Sequence, residues 1–194
     1  MDFNKFLMFD KAPRCQELGQ YFGAASHSGI CRWLRRTFLG GLLVLYTQAA
    51  PGLTLEQLKS DKNLTPERLI RQFADFKFEL GRTVRQPEVF LERRAGDCDD
   101  FATLAAGLLR ARGYTTRLVV VFMPNQTHVV CYVEEIKGYL DFNRRKEADP
   151  VVKCEDTLAA MGASVAQSFR SEWRSASEYS FLDGKTNYLA TEFR

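Results

Sequence analysis

Three residues in the second half of the chain have types that can do acyl-transfer chemistry together: Cys98, His128 and Asp141. Catalysis by a thiol needs an imidazole to pair with it and a third polar group to orient that imidazole. Cys98 sits in Gly96-Asp97-Cys98-Asp99-Asp100-Phe101-Ala102, where the pattern predicts the start of a helix. Phe101, Leu104, Ala105, Leu108 and Leu109 follow at the spacing of one apolar helix face, and Gly113 supplies a stop signal. A thiol in the first turn of a helix meets unpaired backbone N–H groups and the positive end of the helix dipole. Both favour a thiolate. His128 is the only histidine after His27, which makes it the sole candidate base.

The elements that must position these residues are legible in outline. Thr65-Pro66 is a helix start, a capping hydroxyl before a first-turn proline, and Leu69, Ile70 and Phe73 continue the helical spacing. Phe76, Phe78 and Leu80 switch to period two and predict a short strand. Pro87 to Leu91 predicts a helical turn before the Cys98 helix. Leu118 to Phe122 (LVVVF) has no polar residue, as expected of a strand covered on both faces. His128 to Glu134 and Tyr139 to Asn143 predict two more strands, joined by a tight turn at Lys137-Gly138. Leu158 to Phe169 predicts a helix, with Gly162 against it. Tyr179 to Leu182 and Tyr188 to Phe193 flank Asp183-Gly184, a dipeptide suited to a hairpin. Helices followed by antiparallel strands make an α+β fold.

With those elements in place, the motifs resemble a known group. The runs Gln86-Pro87-Glu88-Val89-Phe90-Leu91, Gly96 to Ala102, Leu108-Leu109-Arg110 and Gly113 look like the nucleophile helix of the transglutaminase-like superfamily, which includes bacterial transglutaminase-like cysteine peptidases. Thr127-His128-Val129-Val130 resembles its histidine strand, and Gly138-Tyr139-Leu140-Asp141 its aspartate strand. The resemblance covers roughly residues 65 to 145. It implies a papain-like core with the nucleophile helix packed on an antiparallel sheet. It also implies Cys98 as nucleophile, His128 as general base and acid, and Asp141 as orienting group. Arg117 matches a frequent arginine before the strand that follows the helix. Where the family often has an aromatic residue soon after the histidine, this chain has Val129-Val130.

Two positions keep alternatives open. A tight turn at Lys137-Gly138 places Asp141 opposite Cys131 to Glu134 and Asn143 nearer to His128. Asn143 therefore competes as orienting group, since an amide fills that role in papain-like proteases. Gln86 is a candidate oxyanion donor beside the Cys98 backbone N–H, and equally a turn residue before Pro87. Asp97, Asp99 and Asp100 either face the sulfur, which would raise the thiol, or bond the free N–H groups of the helix start and pair with Arg93, Arg94 or Arg110, the arrangement expected of a first turn. Cys131 falls on the opposite strand face from His128 and reads as core.

Composition narrows the classes. The chain has 194 residues, 45% hydrophobic and 26% charged, which suits an ordinary globular domain. Its formal charge of +3 is spread among acids, with no basic stripe interleaved with aromatics, so no nucleic-acid partner is expected. Five cysteines without CxxC grouping and two histidines leave no metal site in prospect, and no cofactor is called for. Cys15, Cys31, Cys131 and Cys154 remain open to disulfide pairing.

Residues 1–52 read as an N-terminal extension and 53–194 as the catalytic domain. Within the extension, about 32–50 has the parts of a signal peptide. Arg32, Arg35 and Arg36 precede the apolar Phe38 to Tyr46, and Thr47-Gln48-Ala49 resembles a cleavage site. Its position, some thirty residues into the chain, fits equally a helix of the folded protein. Export to the periplasm or outside follows from the first reading, and a cytoplasmic location from the second. The apolar core is too short for a stable membrane span.

The expectation is a cysteine-dependent acyl-transfer enzyme acting on peptide or protein amide bonds. Water as acceptor gives hydrolysis, and a lysine amine gives crosslinking. Small size without an obvious calcium loop favours hydrolysis. The competing readings are a non-catalytic module of the same fold, for peptide binding or assembly, and an acyltransferase with a small-molecule donor. Oligomeric state is open.

Overall fold

In the computed structural model, which describes residues 52–182 and 184–194, the two faces of one strand show how the molecule is layered. The export segment expected at about 32–50 lies outside the described residues. Strand β3 (Thr116–Phe122) sends Leu118 and Val120 to one apolar core, and Val119 and Val121 to another. Its partner β4 (Thr127–Val133) divides likewise, Val129, Cys131 and Val133 against Val130 and Tyr132. Both faces are therefore roofed, which is why LVVVF carries no polar residue.

Helix α4 (Cys98–Arg110) covers the first face, backed by α1 (Leu55–Ser60), α2 (Pro66–Arg71) and α3 (Pro87–Arg93). Helix α5 (Leu158–Ser168) covers the second. Gly162, a poor helix former, is explained there: a Cβ at this position would stand 2.8 Å from the Trp173 ring. Strands β1 (Lys77–Phe78) and β2 (Ala95–Gly96) make a small parallel pair just before the nucleophile helix. The main sheet adds β5 (Gly138–Leu140), β6 (Val151–Lys153), β7 (Ser175–Leu182) and β8 (Lys185–Phe193). Its order is β6-β5-β4-β3-β7-β8, antiparallel throughout. This is the expected α+β arrangement, with the Cys98 helix packed on an antiparallel sheet.

Several boundaries differ from the sequence-based expectation. Helix α1 was not foreseen; it starts at Leu55 behind a capping box in which Thr54 and Gln57 bond each other's backbone N–H. The strand expected across Phe76 to Leu80 is reduced to Lys77–Phe78. The connection before β5 is a 3₁₀ turn at Glu134–Ile136, with Lys137 in the left-handed region at φ 44°. Strand β5 stops at Leu140 rather than Asn143, because Asp141 caps a 3₁₀ turn over Phe142–Arg144. Strand β6 was not foreseen.

The core beneath the site is aromatic. Phe73, Phe76, Phe90, Phe101 and Phe142 form a chain of ring contacts with centroids 4.8 to 5.9 Å apart. All five rings are fully buried. They tie α2, α3 and α4 to the segment that follows Asp141. Arg145 closes this cluster. It donates to the Phe76 carbonyl through Nε and Nη2 and to the Phe142 carbonyl through Nη1, with its guanidinium 4.0 Å above the Phe142 ring.

Candidate functional site

The start of α4 is built by short-range chemistry. Asp97 is the N-cap and forms a reciprocal capping box with Asp100, whose Oδ2 accepts from the Asp97 N–H at 3.1 Å. Cys98 is the first helical residue and half-buried. Gly96 lets this turn come close to its support. A Cβ there would stand 2.5 Å from Asp100 Oδ2 and 2.6 Å from the Phe90 ring.

His128 lies near the start of β4 and Asp141 just past the end of β5. Leu140 pairs with Cys131, so Asp141 lies diagonally from His128 instead of opposite it. The side chains close that offset: His128 Nε2 is 2.8 Å from Asp141 Oδ1. Both residues are buried, at 3% and 1% exposure. The Phe169 ring meets the imidazole edge-on at 4.8 Å. With Nε2 taken by Asp141, Nδ1 is the other ring nitrogen, and Cys98 is among the groups that raise the imidazole.

Burial opposes a charge on His128, but the hydrogen bond and charge of Asp141, then Cys98, outweigh it. The net effect raises the imidazole to about 10. Asn143 has a different part. Its side chain is exposed, while its backbone N–H donates to Asp141 Oδ1 at 2.8 Å and so helps to fix that carboxylate. Gln86 is the exposed N-cap of α3 and makes no side-chain capping bond there. Arg117 lies away from these residues, bonded to Glu178 at 2.9 Å and to the Asp156 carbonyl.

The acids beside Cys98 do not pair with Arg93, Arg94 or Arg110 as expected. Arg93 holds Glu79, Arg94 holds Asp75, and Arg110 donates to the Thr116 carbonyl. The partner is Arg85, whose backbone N–H donates to Asp100 Oδ1 at 2.6 Å and whose guanidinium pairs with Oδ2. Gly81 N–H donates to Asp97 Oδ2 at 2.6 Å. The loop 79–86 is thus strapped across the helix start. Nothing local in the sequence marks Arg85, because its partner is brought near only by the fold.

Two carboxylate oxygens remain unsatisfied: Asp97 Oδ1 and Asp99 Oδ1 are buried without a donor. Burial, then the neighbouring Asp97 and Asp100 carboxylates, push Asp99 up to about 8. Asp97, although buried, is held below the usual range by its neighbour Asp99, the Gly81 N–H and Asp100. The three acids offer ligand atoms within 4.8 Å of one another. Both Asp100 oxygens are already engaged, and Asp97 Oδ1 and Asp99 Oδ1 are the carboxylate oxygens of the cluster left without a partner. That arrangement calls for a shared proton or a hard cation.

Among the described residues Cys131 and Cys154 are free thiols with Cys98. Burial pushes Cys131 up to about 12 and raises Cys154 as well. Neither has an imidazole neighbour to match Cys98.

A family model described as the transglutaminase-like superfamily matches residues 58–173, which hold Cys98, His128 and Asp141. Among solved structures, calcium-bound LapG of Legionella pneumophila is 21% identical, with a TM-score of 0.46, over 69% of this chain and 75% of that one. A protein from Cytophaga hutchinsonii, proposed to be a cysteine protease, is 18% identical, with a TM-score of 0.36, over 72% of this chain and 50% of that one. No curated protein matches the chain.

Proposed function

The chain belongs to the transglutaminase-like superfamily, and from that premise we propose that it is a cysteine-dependent acyl-transfer enzyme, with hydrolysis of peptide or protein amide bonds as its reaction. The observation that carries this reading is the buried His128–Asp141 pair at 2.8 Å beside a cysteine at a helix N-terminus. A structural histidine needs a hydrogen bond. It does not need a buried carboxylate on one ring nitrogen.

Each residue then has a defined step. Asp141 accepts the Nε2 proton and holds the ring, and Asn143 N–H holds Asp141. The imidazolium at His128 is the counter-charge a thiolate needs. Cys98 Sγ attacks the scissile carbonyl carbon, and the displaced electron pair moves to oxygen. The Cys98 backbone N–H, free in the first turn, can donate to that oxygen. His128 gives its proton to the leaving amine as the C–N bond breaks, leaving a thioester on Cys98. His128, now neutral, takes a proton from water as the water attacks the thioester. The carboxylic acid leaves and the thiol is restored. A lysine amine in place of water gives a crosslink by the same steps.

We assign a second feature on the unsatisfied oxygens. Asp97 Oδ1 and Asp99 Oδ1 fit a hard divalent cation. Bound there, the cation neutralises the acids flanking the nucleophile. The chain's own part is to hold Asp97 through Gly81 and Asp100 through Arg85, so that the turn carrying Cys98 stays in one place.

The test of the main reading is incubation of purified protein with an unfolded polypeptide such as β-casein, with a fluorescent primary amine present. New termini that vanish with Cys98→Ala support hydrolysis. Cys98-dependent incorporation of the amine with the chain intact supports crosslinking. Loss of neither activity in Cys98→Ala would overturn the proposal.

A further inference from the structure

Two adjacent arginines follow Asp141, and the fold treats them differently. Arg144 pairs with Glu147 near the surface, whereas Arg145 turns inward and is buried. Among the described residues the Arg145 guanidinium bonds to backbone carbonyls alone. Taking that cation out of water is costly, and an apolar side chain of similar volume would fill the space at less cost. Something other than packing must account for it.

The bonds themselves supply the reason. Nε and Nη2 donate to the Phe76 carbonyl at 3.1 and 2.7 Å, and Nη1 donates to the Phe142 carbonyl at 2.7 Å. One planar fork thus joins two segments 69 residues apart in the chain. Phe142 is the residue next to Asp141. The β4–β5 and β5–β6 ladders both end at Leu140, so the register of the sheet no longer fixes Asp141. Among the described residues, the side-chain hydrogen bonds tying 141–145 to other elements join His128 to Asp141 and Arg145 to Phe76. Asp141 Oδ1 also accepts from the Asn143 N–H of its own turn, so a turn that shifts carries the carboxylate with it. The Phe142 ring stacks on Phe101 at 5.6 Å and presses the turn towards α4. Stacking sets distance more than direction, and the three bonds of the fork set direction. Burial lowers the guanidinium, and the charge of Asp141 partly offsets this.

We propose that Arg145 is a positioning residue for the acyl-transfer site, its fork locking the turn that presents Asp141 to His128. The assignment rests on the catalytic reading of Cys98, His128 and Asp141 for its purpose, while the lock itself is measurable without turnover. The test variant is Arg145→Lys in the full-length protein, which keeps the positive charge and removes the fork. Ring-proton NMR should show His128 titrating about one pH unit or more below the native protein. The Asn143 amide should exchange faster with solvent, and kcat on β-casein should fall about tenfold or more with KM little changed. Phe73→Leu is the control: the ring contacts of Phe73 are with Phe76, Phe90 and Phe101, so it loosens the same cluster and should leave His128 where it is. A native His128 titration in Arg145→Lys, or the same displacement in Phe73→Leu, would overturn the assignment. A titration unmoved in Arg145→Lys but moved in Arg145→Met would overturn it in favour of charge alone. If Arg145→Lys does not fold, the native protein decides. Its Arg145 Nε–H resonance should be protected from solvent exchange and move in step with the His128 titration, and a fast-exchanging or unmoving signal would overturn the lock. Displacement of His128 by Arg145→Lys in a protein without Cys98-dependent hydrolysis would sustain the lock and remove the catalytic reading instead.

Discussion

Replacing Asp141 with Asn keeps the shape of the side chain and removes its charge, which isolates what the carboxylate does. In the native protein Asp141 Oδ1 accepts from both His128 Nε2 and Asn143 N–H at 2.8 Å, and His128 is raised to about 10. With the charge gone, a buried imidazolium loses its counter-ion. Burial then acts against Cys98 alone, so His128 should titrate well below its native value of about 10. Breaking a buried pair in this way costs about 3–5 kcal/mol, the upper end being reached where His128 would otherwise be charged in both states. The pH dependence follows from the direction of the shift. A histidine raised on folding stabilises the protein fully below its unfolded value, near 6.5, and that contribution is lost as pH rises toward about 10. Urea unfolding of the two proteins should therefore differ most at pH 6 and converge toward pH 10. Ring-proton NMR reads the titration directly, because the chain has only two histidines. Amide hydrolysis should fall on the order of 10³–10⁴-fold, the scale seen when a triad loses its orienting carboxylate. A native His128 that titrates at 6.5 or below, or a stability gap independent of pH, would refute the reasoning.

Other expectations follow from the same geometry. Gly96→Ala should destabilise the protein by about 1–3 kcal/mol in urea unfolding, since the new methyl collides with Asp100 Oδ2 and the Phe90 ring. Phe101→Ala should cost about 3–5 kcal/mol, because Phe101 is fully buried against Phe73 and Phe142. Calcium should raise the melting temperature in a saturable way measured by calorimetry, and Asp99→Asn should abolish the rise. A calcium effect unchanged in Asp99→Asn would show that the ion binds elsewhere.

Much of this architecture was readable in the chain because its causes are local. An unbroken apolar run at Leu118–Phe122 required cover on both faces, and the Thr65-Pro66 pair marked the start of α2. Even the capping box of α1 was present in the sequence as Thr54 and Gln57. The order of Cys98, His128 and Asp141 was legible for the same reason, each residue standing at the end of a patterned element. The difficulties were of reach. A 3₁₀ turn at Glu134–Ile136 and a strand that ends at Leu140 set where Asp141 sits, and its diagonal approach to His128 depends on side-chain direction. Arg85 on Asp100 and Phe169 on His128 are contacts between distant segments. No periodicity or spacing announces such contacts, because each partner satisfies its local pattern equally well without the other.

The central claim is that His128 makes the Cys98 thiol a nucleophile. It is tested most directly by alkylating the purified protein with iodoacetamide between pH 6 and 8 and mapping the modified cysteines by mass spectrometry. The account predicts that Cys98 reacts ahead of buried Cys131 and of Cys154, whose thiols are both raised, and that His128→Ala slows Cys98 about tenfold or more. Alkylation of Cys98 at the rate of an ordinary free thiol, unchanged in His128→Ala, would contradict it.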